Sequence, residues 1–438
     1  MIHTLKKYGA FLFLSLVFSL QLTGQFHYGT QMGFGKNRVQ YNDFYWYFYR
    51  YEKFDTYFNQ QGKALANYTA DFLSEEITRA EEFFDYTFEK RLIFIVYNKL
   101  SDFRQSNIGL VSGRDEFNTG GITKVIRNKV FIYFDGDHKK FEQQISAAIA
   151  EVIINEMLYG NDFRENFTNS TLINLPDWYM QGLISYMSRD WDFEVENFVR
   201  DGVLSGEYER FNWLTGDDAK YAGHSFWKYI GETYGESVIP NILYLTKINK
   251  NSNSGFLYVI GFSIKDLSRD WMAYYLEQYD ESFHDRELPQ SQEVLRKPNK
   301  RRIYNEVKLS PDGNKIAFCT NELGQYKVFI HDTQTGKTKK ILQREHKLDQ
   351  IPDLTYPIIS WHPTGRILSF ITEEEGGLSL YYYMLETKEL TERNIIFFEK
   401  ILDFDYSDDG FKIVLSGINR GQTDIYVHFV IICLNYLK

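Results

Sequence analysis

Nine histidines are scattered along the chain, at His3, His27, His138, His224, His284, His331, His346, His362 and His428. No two of them have the spacing that turns both toward one side of a helix. Catalytic zinc chemistry needs three protein ligands and an open fourth position for water, and no such set is written in contiguous form. Serine chemistry fares no better. Ser310 stands in a Ser-Pro-Asp-Gly turn, and the Gly-x-Ser-x-Gly elbow is missing. Cys319 and Cys433 supply neither a disulfide framework nor a Cys-x-x-Cys pair. Asp135, Gly136 and Asp137 lack the further spaced oxygens of a calcium loop and read as a turn. What remains is a pair of carboxylates, Glu151 and Glu156, on the apolar stretch 148–160 (AIAEVIINEMLYG). A carboxylate so placed acts as a general base only beside an activated water.

The elements that carry these residues are strand and helix at first, then helices only. Residues 43–58 are dense in Tyr and Phe, and the end of that run, 54–58, reads as a strand. Large aromatic side chains gain most from burial, so the run is expected in the core. Residues 62–90 place Leu65, Phe72, Leu73, Ile77, Ala80, Phe83 and Phe84 at helical spacing, which predicts a helix packed by one face. Residues 91–97 and 129–134 are β-branched apolar runs, as buried strands require. Helices follow over 141–159, 176–188, 222–234 and 263–279, two of them stopped by Gly160 and Gly235. His224 falls in the third of these and reads as a packed residue.

Composition excludes two broad classes. The net charge of −10 denies the chain the basic face that general nucleic-acid binding needs. Hydrophobic residues at 43% exclude disorder over most of the length. Residues 1–24 read as a signal peptide: Lys6 and Lys7 precede a short apolar core at 9–20, and Gly24 offers a small residue for cleavage before Gln25. That core is too short to span a bilayer, and no later run reaches about 18 apolar residues. The expectation is an exported protein of the periplasm or cell surface, with no transmembrane segment after cleavage. Residues 288–302 (LPQSQEVLRKPNKRR) are polar and basic and read as a linker. Glu373, Glu374 and Glu375 read as a solvated acidic loop.

Beyond the linker the sequence repeats. Residues 309–318 (LSPDGNKIAF), 359–370 (ISWHPTGRILSF) and 404–415 (FDYSDDGFKIVL) each join two strand patterns by a glycine turn, and each is followed by a further strand pattern. The turn glycines Gly313, Gly365 and Gly410 recur at intervals of 52 and 45 residues, which fits one four-stranded propeller blade per repeat. The set Ser310, Pro311, Asp312 and Gly313 resembles the blade signature of TolB-type propellers, and the other two repeats are degraded versions of it. The resemblance implies about three blades over residues 303–438. Three blades do not close a ring, which suggests a truncated chain, or closure by oligomerisation or a partner.

The region from about 54 to 279 resembles the gluzincin-like metallopeptidases of the peptidase-MA type in the order of its elements. In that family a long helix bears His-Glu-x-x-His, and a later Pro-x-Trp-x-x-Glu-Gly segment supplies a third ligand. Set on this chain, the motif Glu falls on Glu151 and the two His positions on Ala150 and Ile154. A second frame around Glu156 puts Asn155 and Tyr159 at the His positions. The later segment is present as 175–186 (LPDWYMQGLISY), with Gln181 in place of the ligand Glu. Ala and Ile have no donor atom, and a neutral amide is a poor zinc ligand. The resemblance therefore implies a fold kept without its metal, with no catalytic residue and no cofactor. The whole reads as an α+β chain: a degenerate gluzincin-like mixed domain over 25–287, then an incomplete all-β propeller. The expected role is non-catalytic contact with an envelope protein or a glycan. The rival expectation is a zinc peptidase with a non-standard ligand set, for example Glu151 or Glu156 with His138 or His224.

Overall fold

The structure is a computed structural model, and it describes residues 40–106, 124–126, 128–160, 173–283, 302–345 and 353–429. The segment read as a signal peptide (1–24), the expected linker up to residue 301 and the residues after Phe429 lie outside these residues.

The first layer is a five-stranded sheet. Its strands are β1 (Trp46–Arg50), β2 (Phe54–Asn59), β3 (Leu92–Tyr97), β4 (Lys124–Ile126) and β5 (Lys129–Tyr133), in the spatial order β1-β2-β3-β5-β4. The central strands β2, β3 and β5 are parallel, while β1 and β4 run antiparallel on the edges. Parallel neighbours require a crossover, and α1 (Lys63–Phe84) provides the one between β2 and β3. The short α2 (Leu100–Arg104) follows β3. The long helix α3 (His138–Tyr159) starts where the Asp137 carboxylate accepts hydrogen bonds from the amides of Lys139 and Lys140, at 2.9 and 3.2 Å.

The rest of this unit is helical: α4 (Asp177–Ser188), α5 (Phe193–Leu204), a 3₁₀ turn (Glu207–Trp213), α6 (Gly216–Tyr234), α7 (Val238–Asn249), α8 (Ser252–Ile260) and α9 (Ile264–Phe283). Helices α5, α7 and α8 have no counterpart in the sequence reading, because each buries no more than three large apolar side chains and so writes only a short stripe. One continuous core joins sheet and helices. Trp178, Trp227 and Trp271 are fully buried in it, with Phe226 and Phe256 packed between them. Each such ring contributes about 1.5–3 kcal/mol by leaving water.

The second unit is three antiparallel sheets in succession. They are β6 (Ile303–Leu309) to β9 (Thr338–Arg344), β10 (Ile358–Trp361) to β13 (Leu390–Ile395), and β14 (Lys400–Tyr406) to β16 (Gln422–Phe429). Within each, strands pair with their chain neighbours only, the up-and-down order of a propeller blade. One turn device opens every sheet. Ser310 Oγ donates to Asp312 Oδ1 (2.6 Å) and accepts from the Lys315 amide (2.8 Å), and Gly313 takes φ +72°. Ser407, Asp409 and Gly410 (φ +74°) repeat it. In the middle sheet the His362 ring replaces the hydroxyl: Nδ1 accepts from the Thr364 amide at 3.3 Å, and Gly365 has φ +68°. Consecutive sheets pack face to face. The Trp361 indole donates to the Lys308 carbonyl (3.1 Å), and the Tyr356 hydroxyl donates to the Ile401 carbonyl (2.9 Å).

The two units share a seam. Ile418, from β15 (Lys412–Asn419), is fully buried in the core of the first unit. Leu402 packs against that core and closes over Gly136, where an added Cβ would lie 2.6 Å from Leu402 Cδ1. Thr423 Oγ1 donates to the Gly136 carbonyl at 2.9 Å. Asp135, Gly136 and Asp137 are thus a turn, helix cap and docking point at once.

Two expectations are corrected here. The aromatic run is not core throughout. Phe54 and Phe58 are buried, whereas Tyr45, Tyr47 and Phe48 are exposed, because β1 is an edge strand and only its inner side meets β2. The acidic run is not simply solvated. Glu375 is exposed, but Glu374 receives hydrogen bonds from Tyr326 and Arg344, and Glu373 turns inward to Lys99.

Candidate functional site

The positions that a metal site of the gluzincin kind would use fall on α3 and α4. Ala150 and Ile154 are buried within the main apolar core. Glu151 and Gln181 are half-buried. Glu156 accepts a hydrogen bond from the Tyr86 hydroxyl at 2.9 Å, and burial raises its pKa against the pull of that bond. His138 sits in the first turn of α3 between the rings of Tyr68 and Phe134. His224 is buried in α6 with Nδ1 3.0 Å from Ser185 Oγ. Burial, then Arg189, Lys220 and Lys228, push its pKa down to about 3, so it is neutral. Among the described residues no three His, Cys, Asp or Glu side chains converge on a point where a metal ion would sit. The residues present do not fit a zinc ion.

An opening lies at the seam. It is a cleft of about 630 Å³, within the range of small-molecule sites. Six separate stretches build it, Gly376 from the middle sheet being one. Asn42, Asp43, Phe44 and Tyr45 lead into β1. Asn59, Gln60 and Gln61 link β2 to α1. Asn98, Lys99 and Asp102 come from the β3–α2 corner. Ile396 to Glu399 link β13 to β14, and Asn419 and Arg420 turn β15 into β16.

The floor is tied together by polar bonds. Asn98 Nδ2 donates to Asn59 Oδ1 (3.0 Å) and to Glu399 Oε1 (3.3 Å), which joins the two units. The other Glu399 oxygen accepts from the Gly421 amide at 3.1 Å. Lys99 Nζ donates to the Gly376 carbonyl (2.8 Å) and lies 3.6 Å from Glu373 Oε1. Asp102 accepts a 3.3 Å bond from Asn42 Nδ2, and burial pushes its pKa up to about 6 although Lys99 and Asn42 oppose that. Glu399 is raised too, first by burial. The rim is aromatic: Tyr45 is 62% exposed and Phe397 60%, with Ile396 beside it at 96%.

None of these cleft residues was singled out in the sequence as a site. They come from both units, and each alone is an ordinary loop residue. The aromatic run at 43–58 was the only signal near them. The turn residues Ser310, Pro311, Asp312, Gly313, Gly365 and Gly410 lie apart from the cleft and shape the sheets. Among the described residues no helix is long and apolar enough to cross a membrane.

The chain matches no protein-family model, and no curated protein matches it. Similar solved structures include TolB from Acinetobacter baumannii (20% identity, TM-score 0.25, 31% of this chain and 31% of that one). The β-propeller domain of the Trilobed protease from Pyrococcus furiosus is another (9% identity, TM-score 0.22, 30% of this chain and 45% of that one). A third is oligogalacturonate lyase from Vibrio parahaemolyticus (10% identity, TM-score 0.24, 32% of this chain and 38% of that one). The chain thus spans less than half the length of each of these structures.

Proposed function

We propose that this chain is a non-catalytic, exported binding protein, built on a gluzincin-like unit without metal ligands and on propeller blades. The observation that carries the reading is the burial of Ala150 and Ile154 in the apolar core at the two His positions of the resembled motif. Side chains without donor atoms occupy those places, and the core closes over them. Glu151 then has no metal-bound water to act on. The polar cleft at the seam supports a binding role in place of catalysis, since it offers amides, carboxylates and a rim of exposed rings. Export rests on the signal-like residues 1–24. Within a bacterial envelope the ligand is a protein or a glycan.

The test uses the chain from Gln25 onward. Metal content after dialysis and hydrolysis of a mixed peptide library are measured on one preparation. The expected result is less than stoichiometric zinc and no cleavage. Stoichiometric zinc, with activity lost in Glu151→Gln, overturns the reading in favour of a zinc peptidase with an unlisted ligand set. A crosslinking pull-down from the native cells then identifies what the protein contacts.

A further inference from the structure

The seam cleft has a composition that selects among ligands. Its acids, Asp43, Asp102 and Glu399, outnumber its cations, Lys99 and Arg420, by one, and Lys99 is already committed to Gly376 and Glu373. A phosphate or other anion meets net repulsion there. An apolar ligand fits no better, since the walls are mostly amide and carboxylate groups, whose desolvation without a partner costs about 1–3 kcal/mol each. The side chains of Gln60, Asn419 and Arg420 line the cleft and make no hydrogen bond to another described residue. They offer donors and acceptors from planar groups. Above them stand two exposed rings, Tyr45 and Phe397, one from each unit. Phe397 is set edge-on against Phe398 (4.9 Å between ring centres) and Tyr426 (6.0 Å), which holds it at the rim with much of its surface free.

Planar amides that bond to neighbouring hydroxyls, with aromatic faces to cover C–H surfaces, are the combination that suits a neutral sugar. A polyol presents alternating donors and acceptors, carries no charge to be repelled by Asp102 or Glu399, and has apolar ring faces for Tyr45 and Phe397. The volume of about 630 Å³ admits a short oligosaccharide and excludes a folded domain. We infer that the seam cleft is a binding site for a neutral oligosaccharide, held between the two units by Gln60 and Asn419 within and by Tyr45 and Phe397 at the rim. This rests on the binding-protein reading above and names its ligand class and its site. Because the walls come from both units, a bound sugar also favours the docked arrangement over any in which the units part.

The experiment is titration calorimetry on the chain from Gln25 onward. The probes are maltotriose, cellotriose, chitotriose and mannotriose, with trilysine as the cationic peptide control. At least one trisaccharide is expected to bind with one-to-one stoichiometry. Phe397→Ala and Gln60→Ala, both at exposed positions, are each expected to weaken it roughly tenfold. Circular dichroism shows whether each variant is folded, and the two variants sit on different units, so one misfolded protein leaves the other to decide. Binding of trilysine alone, no binding of any trisaccharide at millimolar concentration, or sugar binding that neither variant changes overturns the proposal. Zinc retention or peptide cleavage in the same preparation overturns the binding-protein reading instead, so the two failures are told apart.

Discussion

The ammonium group of Lys99 lies 3.6 Å from Oε1 of Glu373, across the seam between the mixed unit and the middle sheet. Their side chains are 10% and 9% exposed, so solvent screens the pair little. Removing one partner leaves the other charge buried. Lys99→Met is therefore expected to cost about 3–5 kcal/mol. Replacing both, as Lys99→Met with Glu373→Leu, is expected to recover much of that loss, since two apolar side chains of similar volume often match a buried ion pair. Urea unfolding measures both. Equal losses in the single and double variants would refute a coupled pair.

Helices α4 and α6 cross where Gly182 meets Gly223. A Cβ added at Gly182 would stand 2.3 Å from Gly223 Cα, and one at Gly223 would stand 2.2 Å from the Trp178 carbonyl oxygen. The obstacle is backbone, which cannot rotate away. Gly182→Ala is expected to cost at least about 1–3 kcal/mol by forcing the helices apart. Thermal unfolding gives the answer, and an unchanged midpoint would contradict this crossing.

His224 makes stability depend on pH. Its pKa is about 3 in the fold, against 6.5 for an unperturbed imidazole. Below pH 6.5 the unfolded chain takes up a proton that the folded chain refuses. The stabilisation is therefore complete above 6.5 and falls as pH drops toward about 3, by up to about 1.4 kcal/mol per unit. His224→Gln is expected to remove that part of the slope. Denaturant midpoints at neutral pH and at about pH 5 decide it. Parallel losses in parent and variant would rule out a neutral buried imidazole.

Asp102 acts in the opposite sense. Its pKa rises from 3.8 to about 6 on burial at the seam. Between those values the folded chain keeps a proton that the unfolded chain releases. Stability from this group is complete below 3.8 and is lost as pH rises through about 6. Asp102→Asn keeps an acceptor for Asn42 and carries no charge. It is expected to stabilise the protein by about 1–3 kcal/mol at neutral pH. The gain should vanish in acid, and melting curves at both pH values check this. A gain of equal size at low pH would point to a cause other than titration.

Much of the frame was legible in the residues. The short apolar runs of β3 and β5 and the helical stripe of α1 stand where they were expected. The sequence by itself determined the turns that open the three sheets, because Ser310, Asp312 and Gly313 bond to one another within a few positions, and their geometry needs no distant partner. It also determined that Ala150 and Ile154 bring no donor atom to α3, since that is a property of residue type. Only the tertiary structure decided the rest. Tyr47 and Phe58 belong to one aromatic run, yet β1 falls at a sheet edge and leaves Tyr47 half exposed, while Phe58 is buried. Glu373 and Glu375 are neighbours in one acidic run, yet one meets Lys99 and the other meets water. The cleft joins Asn59 and Asn98 to Glu399 from far along the chain. Burial and pairing depend on which segments the fold brings together, and residue type and spacing carry no record of that.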